Sequence, residues 1–292
     1  AKPNRILIIL VGALIGIGLA FVYVFTKNYF DDKIKTPEDI QKRNINVLAW
    51  IPEMDGISLN GNKNNEFVIA VSPDSIPSES FRALRTRVQF SRPDKENLKT
   101  ILITSPAPQE GKTTIALNLA GSFAQANKKT LLIDADLRKP RLHHIFGKDK
   151  KPGLIDYLVK EENLDTIIYK TKFDNLFLIT SGTLPPNPAE MLDSVEMENL
   201  LKNLRPEFDY IIIDSPPIVA VTDAEILARK VDGTILVCSS EVTDYDMFNR
   251  AVDLLKNDNS TLIGSVLNNF STKAGYGSYY KYYYYYSSRS ND

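Results

Sequence analysis

The residues of this chain that are best suited to chemistry form one short stretch, Ser105 to Thr114, with the sequence SPAPQEGKTT. An apolar run that predicts a buried strand, Ile101–Thr104, precedes it, and the first turns of a predicted helix, Ile115–Ala120, follow it. In such a loop the backbone N–H groups, together with the free N–H groups of the helix start, converge on an anion. The stretch therefore predicts a phosphate-binding loop.

The residue types within this loop indicate how a nucleotide would be held. Lys112 would reach the β- and γ-phosphate oxygens, and the hydroxyl of Thr113 would bind Mg²⁺. Pro106 stands where the usual motif has its first glycine. The predicted ATP-binding residues of the loop are Gln109, Glu110, Gly111, Lys112, Thr113 and Thr114.

Two later stretches point to the same site. Leu131–Asp134 and Tyr210–Asp214 are apolar runs that each end in an acidic residue, and Asp136 follows shortly after the first. In an open parallel sheet, ligands bind beyond the carboxyl ends of the strands. These carboxylates are therefore expected in the crevice beside the loop.

Three motifs, EGKTT at 110–114, DADLRKP at 134–140 and DSPP at 214–217, together resemble the bacterial tyrosine kinases of capsule and exopolysaccharide systems. Those kinases are related to the partition and septum-site P-loop ATPases. The resemblance runs from about Glu79 to the C-terminus. The N-terminal part, in turn, is similar to the end of a polysaccharide chain-length regulator.

The resemblance implies ATP and Mg²⁺ as cofactors and assigns roles to individual residues. The implied catalytic residues are Lys112, Asp134, Asp136 and Arg138, and the implied metal-binding residues are Thr113, Asp136 and Asp214. Asn268 matches the position that holds the adenine edge in P-loop relatives, although an asparagine at a strand end is also an ordinary turn residue. One of Asp134 and Asp136 is expected to accept the proton of an attacking tyrosine, and the sequence does not distinguish them.

Beyond the loop, predicted strands and helices alternate along the chain. Strands are expected at 129–133, 175–180, 209–213, 233–238 and 261–267, and helices at 112–126, 153–160, 188–204, 222–230 and 244–257. This alternation predicts an α/β fold, a mostly parallel P-loop NTPase sheet with helices on both faces.

The single cysteine, Cys238, is expected to be a core residue. The formal net charge of −1 gives no basis for a nucleic-acid partner.

The N-terminal stretch Ile6–Thr26 contains no charged residue. Since about 20 apolar residues span a bilayer, it predicts a transmembrane helix; a signal peptide fits less well, because no small-residue cleavage pattern follows. Basic residues are more numerous after this stretch than before it, which predicts a cell-membrane protein with a cytoplasmic C-terminal side. The expected parts are a transmembrane segment (1–27), a cytoplasmic juxtamembrane linker (28–70), a kinase domain (71–270) and a tyrosine-rich tail (271–292).

Charged residues recur at three-residue intervals in a predicted helix capped by Ser78, namely Glu79, Arg82 and Arg85. Such residues usually form a solvated surface, but the resemblance implies that these three form the subunit contact that closes these kinases into a ring.

His143 and His144 are adjacent and cannot both face one metal ion from a helix, so surface or packing roles are expected for them.

The C-terminal tail holds eight of the 14 tyrosines: Tyr276, Tyr279, Tyr280, Tyr282, Tyr283, Tyr284, Tyr285 and Tyr286. Its glycine, serine and charged residues, with no apolar periodicity, predict that it does not join the core. Beside a kinase site, these tyrosines are expected to be phosphate acceptors. The alternative is an aromatic low-complexity segment that mediates binding.

Together these features predict an ATP-dependent protein-tyrosine kinase that phosphorylates its own tail on a neighbouring subunit within a ring and regulates capsular or exopolysaccharide synthesis and export. Its expected partners are further copies of itself, the membrane, a polysaccharide chain-length regulator and a phosphotyrosine phosphatase. The alternative is a partition or septum-site type ATPase that acts as a binding switch. Those ATPases usually carry an additional lysine early in the loop, and Ser105–Gln109 has none.

Overall fold

The computed structural model describes residues 5–29, 32–54, 66–91, 98–257 and 260–271. The chain forms two units, Ala1–Lys33 and Ile34–Asp292. The first contains helix α1 (Arg5–Tyr29), where the sequence predicts a membrane span. Of the helices in the described ranges, none is both long and apolar enough to cross a membrane, so that prediction is not confirmed.

One sheet forms the centre of the second unit. Its strands are β1 (Val47–Pro52), β2 (Thr100–Thr104), β3 (Thr130–Asp134), β4 (Tyr169–Lys170), β5 (Leu176–Ile179), β6 (Tyr210–Asp214), β7 (Gly233–Ser239) and β8 (Leu262–Phe270). The strand order is β1-β8-β7-β2-β6-β3-β5-β4, and the paired strands are parallel except β4 with β5.

Helices cover both faces of this sheet. They are α2 (Pro37–Gln41), α3 (Val68–Val71), α4 (Ile76–Gln89), α5 (Lys112–Gln125), α6 (Leu142–Phe146), α7 (Leu154–Leu158), α8 (Leu164–Ile167), α9 (Pro188–Asp193), α10 (Val195–Leu204), α11 (Asp223–Ala228) and α12 (Tyr245–Asn257). One core contains Phe81 of α4 and Phe123 of α5; the other contains Leu200 of α10 and Phe248 of α12. Because both faces are covered, the central strands are almost continuously apolar.

The predicted alternating α/β architecture is confirmed, and all the predicted strands are present. The helix predicted over 188–204 is two helices, because Ser194 has an extended backbone and its hydroxyl caps α10 by accepting the Met197 N–H at 3.3 Å.

The helix cap predicted at Ser78 is wrong. Ser75 caps α4 instead, since Pro77 is tolerated in the first turn and lets the helix begin earlier.

Part of the segment assigned to a linker, 28–70, belongs to the folded core. Strand β1 pairs in parallel with β8, and Leu48 within it is fully buried. Further upstream, the Glu241 N–H donates to the carbonyl of Ile34 at 2.8 Å and the Ser240 hydroxyl donates to that of Lys35 at 3.0 Å. The segment from Ile34 to the end of β1 is therefore an edge of the domain.

Asp232, just before β7, links the start of β7 to the start of β2 through hydrogen bonds. Its Oδ2 accepts the N–H groups of Lys99 and Thr100 at 2.9 and 2.8 Å, and its Oδ1 accepts Arg205 at 2.8 Å. Burial alone would raise the pKa of Asp232, but these hydrogen bonds outweigh it and hold the pKa below its ordinary value. The ionised carboxylate therefore stabilises the fold.

We expect Asp232→Ala to lower the free energy of unfolding by about 2 kcal/mol, because buried N–H donors lose their acceptor. Since the folded-state pKa is lowered, the contribution of Asp232 is present above about pH 4 and is lost as pH falls through the folded-state value. Urea unfolding across this pH range measures both effects. Glu207→Ala, at an exposed ion pair, is the control and should change stability by less than about 0.5 kcal/mol; equal losses for the two variants would contradict this role of Asp232.

Candidate active site

The predicted phosphate-binding loop joins β2 to the N-terminus of α5. It begins after Thr104, and α5 starts at Lys112. The backbone is left-handed at Gln109, with φ 67°, and at Gly111, with φ 92°, so the loop turns sharply before the helix. This strand-loop-helix arrangement presents free N–H groups at a positive helix end, where an anion is stabilised.

Glu110 lies inside the loop and is 1% exposed. Its Oε2 accepts the Ala107 N–H at 2.9 Å, and its Oε1 accepts the hydroxyl of Thr243 at 2.6 Å. Burial raises the pKa of Glu110 to about 7, although these hydrogen bonds favour the ionised form. Since its carboxylate is occupied by these two donors, Glu110 supports the loop from within.

Asn268, at the end of β8, lies beneath the loop and is 2% exposed. Its Nδ2 donates to the carbonyl of Glu110 at 3.0 Å, while its Oδ1 has no hydrogen-bond partner among the described residues. A Cβ atom on Gly111 would lie 2.1 Å from this Nδ2. Position 111 therefore requires glycine for two reasons: the positive φ angle, and the lack of space for a Cβ atom beside Asn268. The sequence implies an adenine contact for Asn268; in the structure its amide donates to the loop.

Lys112 reaches the acidic residues predicted to share its site. Its Nζ lies 2.7 Å from Asp136 Oδ2 and 4.0 Å from Asp214 Oδ1, and all three side chains are largely buried. Burial alone would lower the pKa of Lys112, but the charges of Asp214 and Asp136 outweigh it and raise the pKa. The lysine is therefore charged and is held at the mouth of the loop.

Asp134 and Asp214 occupy the ends of the paired strands β3 and β6 and lie opposite each other in register. Asp134 Oδ2 accepts the N–H groups of Arg141 and Leu142 at 3.1 and 3.0 Å. Burial raises the pKa of both carboxyl groups; repulsion from Asp214 raises that of Asp134 further, whereas Lys112 partly offsets the rise for Asp214. Two acids placed this way favour a bound cation.

The donor atoms at this position fit a hard divalent cation. The Oδ1 atoms of Asp134 and Asp214 are buried and have no hydrogen-bond partner within the described ranges, and a hydrogen bond joins the Thr113 side chain to Asp214. Over the same ranges, no three His, Cys, Asp or Glu side chains form a metal-binding group. Mg²⁺ is usually bound by one or two carboxylates together with phosphate and water oxygens, and Asp134 and Asp214 could supply such carboxylates.

Arg138 lies on the segment after β3 and is tied to the start of α11. Its guanidinium makes two hydrogen bonds to Asp223, of 2.9 and 2.8 Å, and Asp223 is fully buried. Asp136 Oδ1 accepts the Lys139 N–H at 2.9 Å, which holds the same segment against the acidic cluster. The two hydrogen bonds to Asp223 thus fix the position of the Arg138 guanidinium at the edge of the site.

The structure brings the loop, Asp134, Asp136, Asp214 and Asn268 together. Glu79, Arg82 and Arg85 lie on α4, which contributes no residue to this cluster. The eight tail tyrosines lie outside the described residues. Thr243 and Asp223 belong to the site but carry no sequence motif, because each acts through a partner that is distant in the chain.

Comparison with known proteins agrees with this geometry. A family model described as "AAA domain" matches residues 99–249. Tyrosine-protein kinase YwqD of Bacillus subtilis is 40% identical over 222 residues, which cover 75% of this chain and 93% of that protein. The kinase domain of Escherichia coli tyrosine kinase ETK superposes with a TM-score of 0.78 and 30% identity, covering 84% of this chain and 98% of the other.

Several other curated relatives are longer, and the chain spans about two fifths of their length. The cell division ATPase MinD of Pyrococcus furiosus is less similar, with a TM-score of 0.52 and 28% identity over 62% of this chain and 74% of that chain. The fold and the loop thus define an AAA-type P-loop domain. More narrowly, the chain belongs to the bacterial tyrosine-protein kinases.

We expect Gly111→Ala to raise the Kd for ATP at least about tenfold, because the new methyl group would displace the amide of Asn268 from the loop. Gly147→Ala is the control, since Gly147 also has a positive φ, of 58°, but has open space around its Cβ position. Both variants should lose about 1 kcal/mol of stability from the backbone angle. Fluorescent-nucleotide titration measures the affinities; wild-type ATP affinity in Gly111→Ala would exclude this loop as the phosphate site.

Proposed function

We propose that this chain is an ATP-dependent protein-tyrosine kinase that phosphorylates tyrosines 276–286 of a neighbouring copy. The observation that carries the proposal is the contact of Lys112 with Asp136 and Asp214 at the mouth of a phosphate-binding loop. Membership of the tyrosine-protein kinases supports transfer to a phenol over hydrolysis alone. The high tyrosine content of the tail supports it as the acceptor.

In the proposed reaction, the loop N–H groups and Lys112 bind the β- and γ-phosphates of ATP. Thr113 and Asp214 would hold Mg²⁺, with Asp136 or Asp134 beside it, and Mg²⁺ would neutralise phosphate charge. The phenolic oxygen attacks the γ-phosphorus, the bond from that phosphorus to the bridging oxygen breaks, and ADP leaves. Such transfers depend mainly on positioning and charge neutralisation, which this buried cluster is built to provide.

A proton acceptor for the phenol is needed, because the pKa of free tyrosine is about 10. We assign this role to Asp134 or Asp136. Asp136 Oδ2 is bound to Lys112 and would become available when Lys112 contacts phosphate, whereas Asp134 Oδ1 has no hydrogen-bond partner among the described residues. Arg138, held by Asp223, supplies positive charge at the edge where the acceptor segment enters.

The cellular role that we propose is control of capsular or exopolysaccharide synthesis and export. The likeness of the N-terminal part to a chain-length regulator supports a position on the cytoplasmic side of the cell membrane, beside such a regulator. A phosphotyrosine phosphatase would reverse the modification. Each phosphate adds about −1.5 to −2 charges, so the multiply phosphorylated tail would repel itself and leave the neighbouring site.

We further propose that Glu79 and Arg82 contribute to a ring-shaped assembly. These two residues pair with each other at 2.9 Å on the outer side of α4. Arg85 differs, because it donates to the carbonyl of Ser122 on α5 at 2.7 Å. The sequence groups all three on one face, but Arg85 packs α4 against α5 within the chain.

Replacing Glu79 and Arg82 together by Ala should weaken self-association while changing the free energy of unfolding by less than about 1 kcal/mol, since exposed pairs contribute little. Arg85→Ala should instead cost about 1–2 kcal/mol of stability through the lost bond to Ser122. Light scattering and urea unfolding separate the two effects. Unchanged assembly in the double variant would leave Glu79 and Arg82 as ordinary surface charges.

The catalytic assignment predicts that Lys112→Met lowers tyrosine phosphorylation by at least about 100-fold, the loss typical when a preorganised electrostatic contact is removed. Lys128→Met, at an exposed lysine beyond the other end of α5, should be fully active. The assay is incubation with γ-labelled ATP and Mg²⁺, followed by phosphoamino-acid analysis. Labelled phosphotyrosine at the wild-type level in Lys112→Met would disprove this assignment.

A further inference from the structure

One residue of the phosphate-binding loop, Glu110, is linked by two hydrogen bonds to the edge of the sheet where β7 and β8 end. Its carboxylate accepts the hydroxyl of Thr243 at 2.6 Å, and its backbone carbonyl accepts Asn268 Nδ2 at 3.0 Å. Thr243 follows β7 and Asn268 lies near the end of β8, so neighbouring strands supply the two contacts. All three side chains are at most 2% exposed.

The direction of the first contact is fixed by a further hydrogen bond. Thr243 Oγ1 accepts the N–H of Ser239 at 2.8 Å, so its own hydrogen is available to donate to Glu110. The Thr243 N–H donates back to the Ser239 carbonyl at 3.0 Å, which closes a tight turn. The hydroxyl is therefore held in place by contacts within the chain.

The loop needs such support because its conformation is unfavourable by itself. Gln109 is a non-glycine residue at φ 67°, and several N–H groups must be aimed at one point without a phosphate to attract them. A loop already fixed in this shape loses less conformational entropy when phosphate binds, which increases affinity. Contacts that do not touch the nucleotide can thus determine how tightly it is held.

We propose that Thr243 is a positioning residue for nucleotide binding, acting through Glu110, and that the Thr243–Glu110–Asn268 clamp sets the affinity of the loop for ATP. Thr243 carries no sequence motif and is placed to touch the loop rather than the nucleotide. The inference rests on the proposed nucleotide site, but it concerns ATP affinity and not phosphoryl transfer.

The test is the Kd for ATP, measured by equilibrium titration, together with KM and kcat for tail phosphorylation. Thr243→Val removes the hydroxyl at nearly constant volume and should raise the Kd and KM about tenfold, which corresponds to about 1.4 kcal/mol. The kcat at saturating ATP should stay within about twofold. Thr243→Ser keeps the hydroxyl and should restore wild-type affinity.

A matched control is Thr234→Val, on the strand that precedes Thr243, β7. Thr234 is fully buried like Thr243, but its hydroxyl has no hydrogen-bond partner among the described residues. The same substitution there should leave the Kd unchanged. If Thr243→Val does not fold, Glu110→Gln tests the clamp from the other side, since an amide cannot accept both of its hydrogen bonds.

A double-mutant cycle then decides whether Thr243 acts through Glu110. Glu110→Gln alone should weaken ATP binding, and Thr243→Val should add little in that background. Additive losses, wild-type affinity in Thr243→Val or failure of Thr243→Ser to restore it would each overturn the proposal. Because binding is read directly, a tenfold weaker ATP affinity in Thr243→Val, together with absent phosphotyrosine in the unmutated protein, would contradict the kinase assignment and not the clamp.

Discussion

The structure depends on one electrostatic constraint, which is the burial of three carboxyl groups and one ammonium group at the ends of adjacent parallel strands. Asp134 and Asp214 lie opposite each other, and Lys112 stands between Asp136 and Asp214. Removing these charges from water is costly unless they are paired. The lysine neutralises only part of the acidic charge, so the site favours a further cation. That imbalance suits a Mg²⁺–nucleotide complex, which provides the cation together with phosphates for Lys112.

The rest of the domain holds this cluster in place. Buried apolar strands fix the spacing of the acids, and α5 fixes Lys112 at its first residue. Outside the cluster, hydrogen bonds restrain the connecting segments: Asp223 restrains Arg138, and Thr243 with Asn268 restrains the loop at Glu110. The site is therefore held in shape by contacts within the chain, which is the preorganisation that electrostatic catalysis requires.

Much of this arrangement could be predicted from the sequence, because its signals are local. A strand, the Gly-Lys-Thr turn and a helix are neighbours in the chain, and so are each apolar run and its terminal aspartate. Strand β1 could not be recognised in this way, since its partner β8 lies near the other end of the domain. Thr243 and Asp223 carry no local sequence signal for the same reason. Ser78 is predicted as the cap because it precedes an amphipathic run, but Ser75 precedes it too, and only the backbone identifies Ser75 as the cap.

The same fold serves kinases and switch ATPases, so function must be argued from the site and its acceptor. In the function proposed above, the γ-phosphate goes to the tail tyrosines. Intact mass after incubation with ATP and Mg²⁺, with phosphopeptide mapping, tests this directly. We expect several added phosphates, all within residues 276–286, and none in a variant whose eight tail tyrosines are Phe. Release of free phosphate with no gain in protein mass would contradict transfer to the tail.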